Sequence, residues 1–370
     1  MIIIISCNHF PDDERIYYKQ ICSLKEQEYP IKYFTRSDSI IDMSDSLVDH
    51  INYSKDISIQ SFIQIVYQQI SRVQKISHVQ IHETELLPIF KKVKYGFSKS
   101  PITIYDVHEN VEALYRTFSN RIKLLKEVLI YWRKYKEKKN LKYVDKIILA
   151  NKPVNDFPYS EIDKEIVVIE NYPEIERIRK NSINQRKKNS IIYHGHLGEE
   201  RGIKDLIYAI NHIKTSFSNI LLTLVGTFRT KEFQRDITSL IEQLDLKQTV
   251  EIVEQVPHSK IWELLDKHCV GVIPFRENPL TQENTPTKLF EMMASGLEIV
   301  TSDLRPIRQF VQDSVLWSEP GSFISMANAI KRALNGAGNS QHIAYNYNLI
   351  EKKYNWEKRK ELYLSLFSIR

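Results

Sequence analysis

Glycine is scarce in this 370-residue chain: there are ten, nine of them between Gly195 and Gly338, and Gly96 stands alone in the first 194 residues. That scarcity excludes an N-terminal dinucleotide site, which needs GxGxxG directly after the first strand; the first loop here is SCNHFPDDE, without a glycine. A Walker A loop and a GxSxG nucleophile elbow are also absent, which excludes the P-loop NTPases and the α/β-hydrolase nucleophile. The cysteines, Cys7, Cys22 and Cys269, are odd in number and lack metal-ligand spacing. They fit a reducing compartment and no disulfide framework. No apolar run approaches the ~18 residues of a membrane span. Residues 1–5, MIIII, are followed at once by Asn8, His9 and Asp12, so they read as a buried first strand rather than a signal segment. Hydrophobic residues at 42% and charged residues at 26% are ordinary for a folded soluble chain. At roughly 100–200 residues per domain the length predicts two domains, or three.

What is present is an alternation of short apolar runs with helical patterns. MIIIIS, PIKYFTR, HVQIH, ITIYDVH and VDKIILA read as strands, with helices over 12–27 and 58–75. The pattern repeats after a basic, polar stretch (RIRKNSINQRKKNS) that reads as a linker. Then come IIYHGHLG, ILLTLVG, TVEIV, CVGVIPF and EIVTSD, separated by helices near 202–215, 230–244, 258–267 and 286–295. Strands alternating with helices imply a parallel sheet covered on both faces. The chain therefore divides into 1–175, a linker over 176–190, a second doubly wound domain over 191–345, and terminal helices over 346–370.

Ligands bind at the C-terminal strand ends of such sheets, and the second domain places its glycines there. Gly195 and Gly198 follow IIYH, and Gly226 follows ILLTLV. The loop HGHLGEERG opens a helix, so its N–H groups and Arg201 suit a phosphate; tight turns alone are the plainer alternative. A more specific constellation is ENTPTKLFEMMASGLEIVTSD. Thr285-Pro286 reads as a helix start, with Glu283 in the loop before it. Glu291 lies about two turns into the helix, and Lys288 between them. Carboxylates suit the vicinal hydroxyls of a ribose or sugar, and Lys288 with the helix N-terminus suits a diphosphate. The alternative is a solvated helix with an i, i+3 ion pair, which leaves Glu283 and the proline unexplained.

On these residues the sequence resembles glycosyltransferase family 4. The resemblance implies the GT-B fold: α/β, two Rossmann-like doubly wound domains facing a central cleft, with a C-terminal helix crossing back to the N-terminal domain. NWEKRKELYLSLF, with Trp356, is similar to that helix. It also implies a retaining glycosyltransferase with a nucleotide-sugar donor and no metal. Glu283 would then contact the donor sugar and Glu291 the ribose, with Gly195, His196, Gly198, Arg201, Gly226 and Thr285 around the phosphates. Arg201 stands where the family has Lys, His196 where it has Arg, and Glu298 where it has Pro. HFPDDERIYYKQICSL, HETELLP and YDVHEN resemble a branch found in bacterial capsule, O-antigen and exopolysaccharide synthesis. The resemblance makes His108 a cleft residue near the donor sugar, and His9, Asp13, His82 and Glu109 candidates on the acceptor side. His194 and His196, two apart, have no third ligand in view for a metal. Two other functions remain open: a nucleotide-sugar 2-epimerase of the same fold, and a non-enzymatic membrane-surface or nucleic-acid-binding protein.

The net charge of +6 is local. Residues 120–142 hold nine Lys/Arg and two Glu, 9 − 2 = +7, so the remainder sums to −1. Ile122, Leu125, Leu129 and Trp132 line one helical face, among Lys123, Lys126, Arg133 and Lys134. A basic amphipathic helix with aromatics suits an anionic membrane surface; a core-packed helix with a basic outer face is the alternative. No RNA-binding motif accompanies it. The expectation is a cytoplasmic enzyme, peripheral at the inner face of the plasma membrane, acting on a lipid-linked saccharide.

Overall fold

A computed structural model describes residues 1–108, 110–119, 121–151, 158–178, 186–336 and 339–368. The chain forms two compact units, one of residues 1–171 with 358–370 and one of residues 172–357.

The first unit is built on seven strands: β1 (Ile2–Ser6), β2 (Ile31–Arg36), β3 (Val48–Tyr53), β4 (His78–Ile81), β5 (Ile102–Val107), β6 (Lys146–Leu149) and β7 (Glu165–Val168). They lie in the order β3-β2-β1-β4-β5-β6-β7, and every pairing is parallel. Parallel strands are covered on both faces, which is why Ile2, Ile3, Ile4 and Ile5 are all buried without alternation. The edge strands β3 and β7 escape the apolar-run reading because VDHINY interleaves Asp49, His50 and Asn52 with its apolar residues, and EIVV is only four residues long and opens on Glu165. The first crossover begins as a π-helix, Glu14–Ile21, capped by Asp13, whose carboxylate accepts from the N–H groups of Arg15 and Ile16. It runs into α1 (Cys22–Lys25). The further helices are α2 (Ile59–Ile70), α3 (Pro88–Gly96), α4 (Val111–Phe118) and α5 (Lys123–Leu141).

The second unit repeats the plan with β8 (Ser190–His194), β9 (Leu221–Val225), β10 (Val250–Val253), β11 (Val270–Ile273), β12 (Glu298–Ser302) and β13 (Leu316–Ser318). Their order is β10-β9-β8-β11-β12-β13, again parallel throughout. Its helices are α6 (Ile203–Ile213), α7 (Lys231–Gln243), α8 (His258–Asp266), α9 (Pro279–Glu283), α10 (Thr287–Ala294), α11 (Arg305–Arg308), α12 (Phe323–Leu334) and α13 (Asn339–Lys352); α14 (Trp356–Ser365) follows and belongs from Lys358 on to the first unit. In both sheets the strand order reverses beside the first strand, between β1 and β4 and between β8 and β11. A reversal opens a crevice at the carboxyl ends of the strands, so each unit carries one binding crevice by topology.

Two details refine the expected division. The second unit runs to Glu357, so α13 stays with it, and the chain joins the first unit from Lys358 rather than from 346. There Tyr363 donates to Gln80 Oε1 at 3.0 Å, and Phe367 lies against His78 with ring centroids 5.0 Å apart. Residues 179–185 of the expected linker lie outside the described residues, while Arg186 at its end donates to the carbonyls of Ser295 and Gly296, closing the C-terminus of α10. Glu298, at the entry of β12, is fully buried and accepts from His342 Nδ1 at 2.7 Å.

Candidate active site

In the second unit the crevice is formed by the loop after β8, the loop after β11 and the start of α10. Gly195 has φ +109°, and a Cβ there would lie 2.7 Å from Lys288 Nζ. The backbone conformation calls for glycine at this position, and any side chain would also have to displace the end of Lys288. Gly226 at φ +146° lets the next loop touch the first, since a Cβ would meet the Gly195 carbonyl at 2.0 Å.

Lys288 and Glu291 are both buried on α10, which excludes the solvated-helix alternative. Among the described residues no carboxylate lies within ion-pair distance of the Lys288 ammonium. Its neighbours are the faces of Tyr193 at 4.1 Å and Phe275 at 5.2 Å. Burial, and then the charge of Arg201, hold its pKa well below the usual lysine value, against Glu291 and Glu200. A buried cation of this kind is costly unless an anion joins it. Glu291 is held from two sides: His258 Nε2 donates to Oε1 at 2.7 Å, and His194 Nε2 approaches Oε2 at 3.3 Å. Burial pushes His194 down to about 4, so it is neutral at physiological pH.

Arg201 lies over Phe275 at 4.6 Å and 3.5 Å from Glu200. Arg229 donates to the same Glu200 oxygen at 3.0 Å. Leu197 N–H bonds the Thr227 carbonyl and Arg229 N–H the Leu197 carbonyl, both at 3.0 Å, so the β9 loop carries Arg229 beside His196. His196 itself is exposed at the loop surface, yet the protein around it displaces enough water to lower its pKa, with the charges of Arg229 and then Arg201 adding to the shift. His194 and His196 thus point to different surroundings and do not form a shared metal site. The helix start also differs from expectation: α10 begins at Thr287, with Pro286 at the capping position and Thr285 before it. Glu283 closes the short helix α9 rather than lying in a loop, because Asn278 and Thr281 form a capping box that nucleates that turn.

In the first unit the crevice between β1 and β4 collects three of the candidate histidines. His9 and His108 ring centroids lie 4.9 Å apart, and His82 Nδ1 meets His108 Nε2 at 2.8 Å. Glu83, which the sequence reading did not single out, organises the first loop. Its Oε1 accepts from the N–H groups of Cys7 (3.0 Å) and Asn8 (2.9 Å), the Ser6 hydroxyl (2.7 Å) and His9 Nδ1 (2.9 Å). Burial alone would raise its pKa; the hydrogen bond and charge of His9 pull it to about 2.

Asp106 was likewise missed. It is fully buried and accepts from Arg15 Nε (3.2 Å), Arg15 NH2 (2.9 Å) and Gln20 Nε2 (2.5 Å). Burial opposes its charge, but Arg15 and then His108 hold its pKa well below the usual range. As an ionised acceptor it fixes the proton of His108 on Nε2, 2.9 Å away. The Gln80 amide nitrogen lies 3.2 Å from His82 Nε2, and His82 Nδ1 lies 3.5 Å from the same carboxylate. Tyr363 orients Gln80 in turn, so the C-terminal segment reaches this site through one amide. His82, Asp106 and His108 also bring ligand atoms within 4.8 Å of one another. The guanidinium on Asp106 competes with any cation there, and the trio reads as a hydrogen-bond network. Asp13 is a helix cap, so its side chain is occupied structurally, and Glu109 lies outside the described residues.

Helix α5 turns its apolar side outward. Leu124 is 76% and Tyr131 67% exposed, with Ile122, Val128, Trp132 and Tyr135 also exposed, while only Ile130 and Leu141 are buried. The core-packed alternative is therefore set aside. Of the basic candidates, Lys123 is exposed, Lys126 reaches the Arg116 carbonyl at 3.4 Å, Arg133 pairs with Glu85 at 3.2 Å, and Lys134 pairs with Glu112. Among the described residues no helix is long and apolar enough to cross a membrane.

Residues 174–349 match the family model of glycosyl transferases group 1, a stretch lying within the second unit. No curated protein matches the chain. In structure the chain is similar to sucrose-phosphate synthase from Thermosynechococcus elongatus, with TM-score 0.75, 16% identity and 99% of each chain covered. It is similar also to HepE from Anabaena, solved in complex with UDP, with TM-score 0.73, 12% identity, and 99% of this chain and 98% of that one covered. A glycosyltransferase from Rickettsia africae follows with TM-score 0.69, 12% identity, and 99% and 97% covered. At these identities the likeness establishes the fold, two Rossmann-like parallel-sheet domains of GT-B type. The family match together with that fold supports a glycosyltransferase.

Proposed function

We propose that the protein moves a sugar, with retention at the anomeric carbon, from a nucleotide-sugar donor to a saccharide acceptor. The observation that carries this reading is Lys288, a buried cation without a carboxylate partner among the described residues, beneath a glycine loop at the strand-order reversal of the second unit. A diphosphate fits it: Lys288, Arg201 and the N-terminus of α10 supply positive field where charge develops on the leaving group. Glu291, steadied by His258 and His194, accepts ribose hydroxyls, and Glu283 the sugar's. In a front-face route the bond from the anomeric carbon to the leaving phosphate breaks as the acceptor oxygen attacks from the same side. The phosphate takes the acceptor's proton, so the route needs neither an enzymic nucleophile nor a metal. His108, with His9 and His82, belongs to the sugar and acceptor side. A thermal-shift screen against UDP-, GDP- and ADP-sugars tests the donor. One nucleotide class is expected to raise Tm at low concentration, with nucleotide release that depends on added acceptor. No stabilisation by any of them overturns the reading, and acceptor-independent release with an epimerised sugar replaces it with an epimerase.

The outward apolar side of α5 and its lysines support a lipid-linked acceptor and a place at an anionic membrane surface, as in capsule, O-antigen or exopolysaccharide synthesis. Each basic group near such a surface adds about 1 kcal/mol. Lys123→Glu with Lys139→Glu is therefore expected to lower binding to anionic liposomes at low salt by at least about tenfold. Equal pelleting of both proteins would remove α5 from the membrane assignment.

A further inference from the structure

The first unit carries a second concavity, with no histidine in its lining. It is a groove of about 630 Å³ between α2, the turn that opens α3, and α5. That is within the ~300–1,000 Å³ of small-molecule sites. Ile59, Ile63, Leu87 and Pro88 give it an apolar wall, and Lys92, Arg133 and Lys136 supply three cations. Glu137 is the polar anchor. Its Oε1 accepts from Tyr159 at 2.8 Å and Tyr105 at 3.3 Å, and the Tyr105 hydroxyl also bonds Thr84 at 2.8 Å. Gln60, Gln64 and Asn140 add amides.

This composition selects among ligands. An acyl chain would cover the Gln60 and Gln64 amides without offering them a partner, at about 1–3 kcal/mol each. None of the lining residues is aromatic, so a nucleotide base finds no face to stack on. A bare anion would face Glu85 and Glu137 and use neither the apolar wall nor the amides. A sugar uses all three features, its hydroxyls bonding the amides and carboxyl while its C–H face covers the aliphatic wall; a phosphate on that sugar meets Lys92 and Lys136 together with Arg133, which already pairs with Glu85.

We propose that this groove is a second saccharide subsite that takes a hexose phosphate, its phosphate on Lys92, Arg133 and Lys136 and its hydroxyls on Glu137, Gln64 and Asn140. The inference deepens the acceptor side of the proposed reaction and rests on that reading for its choice of a saccharide.

The test is a calorimetric titration of the full chain with glucose, galactose and mannose 1-phosphates, with the stabilising nucleotide present at saturation. At least one is expected to bind tenfold or more tightly than both inorganic phosphate and the free sugar. Lys92→Glu with Gln64→Leu is expected to weaken it at least tenfold, while the nucleotide still shifts Tm. Glu137→Gln, which keeps an acceptor for both tyrosines, is expected to weaken it with Tm little changed. Unaltered binding in these variants, or no preference over inorganic phosphate, overturns the proposal. Flotation with vesicles of phosphatidylinositol or phosphatidylglycerol identifies the source. A preference for phosphatidylinositol that the double variant loses supports a lipid-borne sugar phosphate; tight binding of the free hexose phosphate without that preference supports a soluble one. If no nucleotide stabilises the chain, the donor reading fails, and the hexose phosphate titration of the unliganded protein still decides the groove.

Discussion

Replacing Lys288 with methionine is expected to abolish sugar transfer and, at the same time, to raise the Tm of the ligand-free protein. The two effects share one cause. The ammonium is buried against Tyr193 and Phe275, and burial holds its pKa well below the ordinary lysine value. The unfolded chain binds that proton up to about pH 10.5; the folded chain gives it up earlier. The unfolded state therefore binds more protons between the two values, and folding stability rises with pH across that window. Methionine fills the same space without the penalty, so the pH dependence disappears and the ligand-free fold gains. At the transition state the balance reverses, because a departing diphosphate supplies the missing anion. Losing one such preorganised charge costs about 10²–10³ in kcat. Arginine is not expected to substitute, since its planar fork needs room that the Gly195 backbone and the two rings occupy. Wild-type kcat in purified Lys288→Met, or a lowered Tm without loss of activity, would sink the assignment. Steady-state transfer and a pH series of melting curves decide it.

The two effects also mark what is readable from sequence. The central strands are legible because a strand covered on both faces must be apolar throughout, as in Ile2–Ile5 and Leu221–Val225. The edge strands β3 and β7 are not, because an edge tolerates polar residues such as Asp49 and Glu165 and its run loses contrast. The spacing of Lys288 and Glu291 names them as candidates, yet spacing cannot separate a buried pair from a solvated one. Burial depends on Tyr193 and Phe275, which arrive from β8 and from the loop after β11. His258 illustrates the same limit: its role follows from Glu291, 33 residues away. The helix over 123–141 shows a different one. A 3.6-residue apolar period serves a core or a membrane equally, and only the packing of α5 shows that its apolar side faces outward.

Asp106 is the clearest case of a residue whose role depends on distant partners, and the second large effect is expected there. It stands two residues from His108 in YDVHEN, but its chemistry comes from Arg15, 91 positions earlier. Burial lowers His108 to about 4 against the pull of Asp106, so at neutral pH the imidazole is uncharged. Its Nε2–H donates to Asp106, and Nδ1 is left as an acceptor for a substrate hydroxyl. An asparagine at 106 can turn its amide N–H toward Nε2. The proton then moves to Nδ1, and an acceptor becomes a donor. The expected result for Asp106→Asn is a loss of roughly 10²-fold or more in kcat, with KM for the nucleotide-sugar nearly unchanged. The single variant also strands the Arg15 guanidinium, at about 3–5 kcal/mol, so poor folding could imitate the loss. The double variant Arg15→Met with Asp106→Asn separates the two. It removes both buried charges, and a neutral replacement of a buried pair costs little or nothing, so Tm should recover while kcat stays low. Recovery of both would make Asp106 a purely structural residue. The wild-type pH profile adds an independent reading. With His108 neutral down to about 4, kcat/KM should show no inflection from this residue near pH 6.5 and should fall only as pH approaches 4. A limb near 6.5 that vanishes in His108→Asn would show a histidine that charges in the working range, contrary to the arrangement around Asp106.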